Sequence, residues 1–122
     1  MTTTASVTIS LNITGLGQAS PNLSKSFTGT TPDAVHYDYR QLAEADAAEA
    51  LDLGDVSTVE GIAIYAASKD LDVDCDFVDA FDIDIPIAEG QAAYFKPEGT
   101  VYVKNATGAE QPIYEYIVFG TR

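Results

Sequence analysis

Residues 71–87 read LDVDCDFVDAFDIDIPI, and six aspartates alternate there with apolar side chains: Asp72, Asp74, Asp76, Asp79, Asp82 and Asp84. Carboxylates at this density can converge on a hard cation, or they can form the wetted side of a strand pair. Calcium takes about 6–8 oxygen ligands, and its helix–loop–helix site draws them from a loop with glycine at the sixth position and glutamate at the twelfth. Counted from Asp72, those positions hold Phe77 and Ile83, so the loop motif fails. On a strand, alternate residues share one face at steps of roughly 6.5–7 Å. Asp72, Asp74 and Asp76 then form a row rather than a cage, and Asp82 and Asp84 form a second row. Two such rows facing each other across a hairpin that turns near 79–80 repel unless a base or a cation intervenes. Lys69, Lys96 and Lys104 are the nearest bases in the sequence. The reading is a solvated strand face, with Val73, Cys75, Phe77, Ile83, Ile85 and Ile87 turned to the core. Asp72, Asp74, Asp82 and Asp84 stand as candidates for a weak divalent or sodium site, and an acidic patch facing a partner is the third reading.

Other chemistry finds little to build on. His36 is the only histidine and lies between Val35 and Tyr37 on an expected strand. No serine sits in a GxSxG elbow, and Cys75, the only cysteine, has no histidine near it in sequence. A lone cysteine rules out an internal disulfide and a CxxC knuckle, and it reads as a small buried thiol suited to a reducing compartment. The scattered glycines make no phosphate-cradling loop. Paired carboxylates for glycoside hydrolysis have no readable separation here, and tryptophan, a common stacking surface for sugars, is missing. The expectation is a protein that is not an enzyme and carries no cofactor.

The elements that must position these residues are strands. The 122-residue, 13.0 kDa chain is 46% hydrophobic, enough for a single-domain core. Val7, Ile9, Leu11 and Ile13 alternate with polar residues and end at Gly15 and Gly17. A second short strand is expected at 23–27, before Gly29 and Pro32, and a third around Val35, Tyr37 and Tyr39. From Thr58 onward strands are expected at 58–67, 72–78, 81–87, 91–96, 100–105 and 112–119, with turn residues between them. Residues 41–53, QLAEADAAEALDL, hold five alanines and three leucines among acids, so a short helix or helical turn around 41–50 competes with an extended strand. This spacing predicts an all-β fold: an antiparallel β-sandwich, jelly-roll-like, over residues 1–122, with 1–32 as an N-terminal arm or edge-strand region. Tyr114 and Tyr116 share one face of the last strand, and with Val7, Ile9 and Leu11 they are the candidates for partner contact.

Charge separates the two ends of the chain. Nineteen acids oppose six bases, for a net charge of −13 and a pI near 4.1. Residues 1–32 contain no acid, a single base (Lys25), and thirteen serines and threonines, whereas sixteen acids lie between Asp33 and Glu89. Such a surface repels phosphate backbones and anionic membranes, so neither nucleic acid nor membrane is expected as a partner. The opening MTTTASVTISLNITG lacks a basic region followed by an apolar run and is read as mature protein.

EALDLGDVSTVEGIAIYAAS stands in the middle of the chain, FDIDIPIAEGQAAYFKPEGTVYVKNATG follows, and QPIYEYIVFG closes it. This order of segments resembles that of small tailed-phage virion proteins. Ala50 to Thr58 matches the ALDLGDVST segment of that group, Ile87 to Gly90 loosely occupies its later turn, and Glu115 to Val118 matches its terminal apolar strand. The resemblance spans most of residues 48–119 and rests on structural turns. It implies a virion structural protein, first a capsid decoration (cement) protein on the capsid exterior, assembled in the host cytoplasm. Its partners would be the major capsid protein and itself, as a homo-oligomer with a trimer preferred. A neck, tail or fibre component is the alternative, and a calcium- or carbohydrate-binding module the second.

Overall fold

The computed structural model describes residues 4–15, 17, 22–28 and 32–122. Within these the chain is all-β, built of antiparallel sheets and without a helix. Two compact units divide at Pro32 and Asp33, where the acids begin. Gly29, expected to break the chain before that point, lies outside the described residues.

The first unit is a hairpin of β1 (Ser6–Asn12) and β2 (Asn22–Thr28), paired from Ser6↔Thr28 to Asn12↔Asn22. The register sorts the side chains completely. Val7, Ile9 and Leu11 face Phe27, Lys25 and Leu23 on one side, while the other side is entirely serine, threonine and asparagine. Thr8 and Ser26 share a hydroxyl hydrogen bond of 3.1 Å on that polar side.

The second unit is a sandwich of two four-stranded sheets. The first sheet has the order β3 (Ala34–Gln41), β10 (Ile113–Thr121), β5 (Thr58–Ser68), β8 (Ala92–Phe95). The second has the order β4 (Glu49–Ala50), β9 (Tyr102–Asn105), β6 (Leu71–Asp74), β7 (Ile85–Ile87). Ile62, Ile64, Ala66, Tyr114, Tyr116 and Val118 of the first sheet meet Leu71, Val73, Ile87 and Val103 of the second in one core. Each large apolar side chain buried there contributes about 1.5–3 kcal/mol. The strict alternation on β10 places Tyr114 and Tyr116 inside and Glu115 and Ile117 outside.

Two expectations need correction. The strands expected at 72–78 and 81–87 shorten to β6 and β7, because the backbone between them pairs elsewhere. Phe77 N–H donates to the Thr100 carbonyl at 2.9 Å and Gly99 N–H donates to that of Cys75 at 3.0 Å. Phe77 stacks on Tyr102 with 3.8 Å between ring centres, which fixes the detour. The segment around 41–50 forms no helix but a turn leading into β4. Asp46 sits at φ 65°, its N–H donates to Asn105 Oδ1 at 2.7 Å, and Asn105 Nδ2 donates back to Asp46 Oδ1 at 3.0 Å. Gln111 Nε2 donates to the carbonyls of Leu42 and Ala43. A helix this short is marginal by propensity alone, and a side-chain clasp outweighs it.

Candidate functional site

Of the six aspartates of 71–87, Asp76, Asp79, Asp82 and Asp84 are exposed while Asp72 and Asp74 are buried. Asp72 and Asp74 are 7% and 1% exposed, so the solvated-face reading fails for both. Asp74 accepts N–H bonds from Asp76 at 3.0 Å and Asp82 at 2.9 Å, and Asp84 accepts one from Cys75 at 2.8 Å. These carboxylates satisfy three backbone donors of the 75–84 loop, those of Cys75, Asp76 and Asp82. Burial pushes Asp74 upward, but the bonds from Asp82 and Asp76 outweigh it and hold the carboxyl below its ordinary range. The adjoining carboxyl groups of Asp74 and Asp84 hold Asp76 above that range. Asp72 is raised by burial and by Asp70, against the pull of Lys104, its register partner on β9.

Of the four cation candidates, the structure brings Asp74 and Asp84 together and adds Asp76, one oxygen of each lying within 4.8 Å of the others. Asp72 stands in the ladder opposite Lys104, and Asp82 enters the group through its backbone N–H. Ile83, expected to face the core, is 56% exposed. Cys75 is half-buried against the core, and burial with the carboxylates of Asp84, Asp74 and Asp76 pushes its thiol up to about 11, far from a reactive thiolate at neutral pH.

A second polar group lies along β3. His36 Nε2 stands 3.8 Å from Asp52 and 4.0 Å from Asp38, and Arg40 reaches Asp38 at 3.6 Å and Glu49 at 3.4 Å. Tyr114 donates its hydroxyl to Glu49 Oε2 at 2.6 Å, and Tyr116 donates to the Asp52 carbonyl at 2.8 Å. Gly54, at φ 57°, closes over the histidine, where an added Cβ would lie 2.7 Å from Nδ1. His36 Nε2 and Arg40 Nε are buried with no hydrogen-bond partner among the described residues. The nitrogen and two carboxylates are a ligand set that a transition metal accepts, yet Arg40 already answers the charge of Asp38. The group is an ion network that fills the space beneath the strand.

That filling inverts β3. His36, Asp38 and Arg40 turn inward, while Val35, Tyr37 and Tyr39 are 57%, 55% and 58% exposed. With Ile117 and Tyr65 they form an open apolar face on the outer side of the first sheet. Glu115 lies at its centre, opposite Tyr39 on one side and Tyr65 on the other, and accepts a hydrogen bond from Tyr37. A depression of about 270 Å³ opens beside it, where Ala63 and Ala92 leave room between Tyr37, Tyr65 and Ile117. One end of the face is closed by the chain itself, since Tyr94 and Phe119 lie over Gly61, whose Cβ would fall 2.8 Å from the Phe119 ring.

Among the contact candidates, Tyr114 and Tyr116 are corrected: at 0% and 1% exposure they belong to the core. Ile9 and Leu11 are open, at 43% and 57%, and Val7 is half-buried. Tyr37, Tyr39, Tyr65 and Ile117 escaped the sequence reading because alternation alone puts apolar side chains inside. No local signal exposes them, because the charged residues His36, Asp38 and Arg40 between the aromatics of β3 read as the outer side of the strand. Comparison with family models, with curated proteins and with solved structures finds no match.

Proposed function

We propose that the chain is a virion structural protein that works by adhesion, a capsid decoration protein that braces neighbouring shell subunits. The observation that carries this is the inverted strand β3, which places Val35, Tyr37 and Tyr39 on the outside of the sheet while His36, Asp38 and Arg40 fill the inner side of that strand. An isolated chain gains nothing from that arrangement. A chain that meets a protein partner gains aromatic area there, and tyrosine suits such a place because its ring buries surface while its hydroxyl keeps a partner. The acidic character of residues 33–122, nineteen acids against five bases, suits the exterior of a particle and keeps assembled particles apart. The segment order shared with small tailed-phage virion proteins supplies the particle. Its capsid partner would be the major shell protein.

The test is particle survival. Capsids lacking the protein should lose infectious or intact shells on heating or osmotic shock, and adding back the purified chain should restore them. Shells that survive unchanged beside broken tails would move the protein to the neck or tail. A tight stoichiometric calcium heat, lost in Asp74→Asn, would favour a cation-binding module instead.

A further inference from the structure

The pair β1–β2 and the outer face of the β3–β10–β5–β8 sheet each carry exposed apolar side chains around a single charge. The hairpin carries five apolar side chains and one cation on one side, with Lys25 directly opposite Ile9 and flanked along β2 by Leu23 and Phe27. Leu23, Ile9 and Leu11 are between 43% and 57% exposed. The sheet face carries Val35, Tyr37, Tyr39, Tyr65 and Ile117 around one anion, Glu115. Two-stranded hairpins are marginal in water until their apolar side is covered.

From this match we infer that the hairpin of one copy covers the outer sheet face of a second copy of the same chain, with Lys25 set against Glu115. The inference rests on the reading of this protein as an adhesive building block and names its first partner. Three features select a second copy over an unrelated chain. Charge is the first: residues 1–32 carry a net +1, from Lys25 alone, and residues 33–122 a net −14, so the hairpin is drawn to the acidic unit of another copy and that unit is repelled by its own kind. The placement of the single charges is the second, since each lies near the middle of an otherwise apolar face; Glu115 has only the neutral Tyr37 hydroxyl as a donor there, and either charge would be desolvated without an opposite charge by a partner lacking one. Shape is the third. A side chain two residues along β2 from Lys25 stands roughly 6.5–7 Å away, and the depression bounded by Ala63 and Ala92 lies immediately beside Glu115. Knob and cation thus face hole and anion. A contact between the hairpin of one copy and the sheet face of another is head-to-tail.

Light scattering of the full-length protein over a range of concentrations tests this. The wild type should associate as its concentration rises. Lys25→Glu and Glu115→Lys should each weaken association by about tenfold or more, because like charges then meet inside the contact, and the double variant should regain most of it. Ser10→Glu adds negative charge to the polar side of the same hairpin and should weaken association far less than Lys25→Glu, through the loss of long-range attraction alone. A wild type that stays monomeric throughout overturns the inference, as does a double variant no better than the singles, or a Ser10→Glu as weak as Lys25→Glu. These outcomes are separate from the particle test. A chain that self-associates through Lys25 and Glu115 but braces no capsid refutes the proposed function and leaves this contact standing.

Discussion

Tyr114 and Tyr116 show how the two sheets are held at their polar seam. Both rings are fully buried, stacked at 5.8 Å, and their hydroxyls end on Glu49 Oε2 and the Asp52 carbonyl. Tyr114→Phe keeps the ring and removes the donor to a part-buried carboxylate, so it should cost about 1–3 kcal/mol of stability in urea titration. The same pair sets an alkaline limit. Burial, with Asp38 and Asp52 nearby, pushes Tyr116 up to about 12, and burial with the Glu49 bond pushes Tyr114 further still, above the ordinary tyrosine value of 10.0. A proton held more tightly in the folded state means stability is complete below pH 10.0 and is lost as pH rises through that value towards the folded ones. The melting temperature should therefore fall steeply above pH 10.0, and less steeply in Tyr114→Phe.

At the scale of elements, legibility followed how local the deciding forces were. The strands β1, β2, β3, β5, β8 and β10 could be read from alternation, because their apolar and polar residues are sorted by the pleat itself. The 71–87 stretch was misread over its middle because alternation there is real but not decisive. Asp74 and Asp84 bond loop N–H groups, and the Cys75–Phe77 backbone takes its partners from Gly99 and Thr100, more than twenty residues away in sequence. The 41–50 segment turned on Asn105, Asp46 and Gln111, contacts across about sixty residues that no local window contains. Asn105→Ala removes both halves of the clasp and leaves the Asp46 N–H without its acceptor. It should cost about 2–3 kcal/mol by thermal or chemical denaturation, whereas Ala48→Gly, outside the clasp, should cost under about 1 kcal/mol.

For the molecule as a whole, the candidate contact surface was half legible. Val7, Ile9 and Leu11 could be named from sequence because the hairpin has an entirely polar reverse. The acceptor face could not, because Tyr37, Tyr39 and Ile117 look like core until the charged inner side of β3 is seen in place. The charge division of the chain acquires a physical sense from the same arrangement. An acid-free hairpin can approach a strongly acidic unit of another copy, and repulsion between two acidic units is relieved by what lies between them.

Amide hydrogen exchange of the full-length wild type, followed across strands 6–12 and 22–28 at rising protein concentration, tests this account most directly. Strands of an uncovered hairpin open readily and exchange fast. The account predicts protection of these amides that rises with concentration, together with slowing of β3 and β10 at the outer edge of the first sheet. Protection that is the same at every concentration, or absent at all of them, would contradict it.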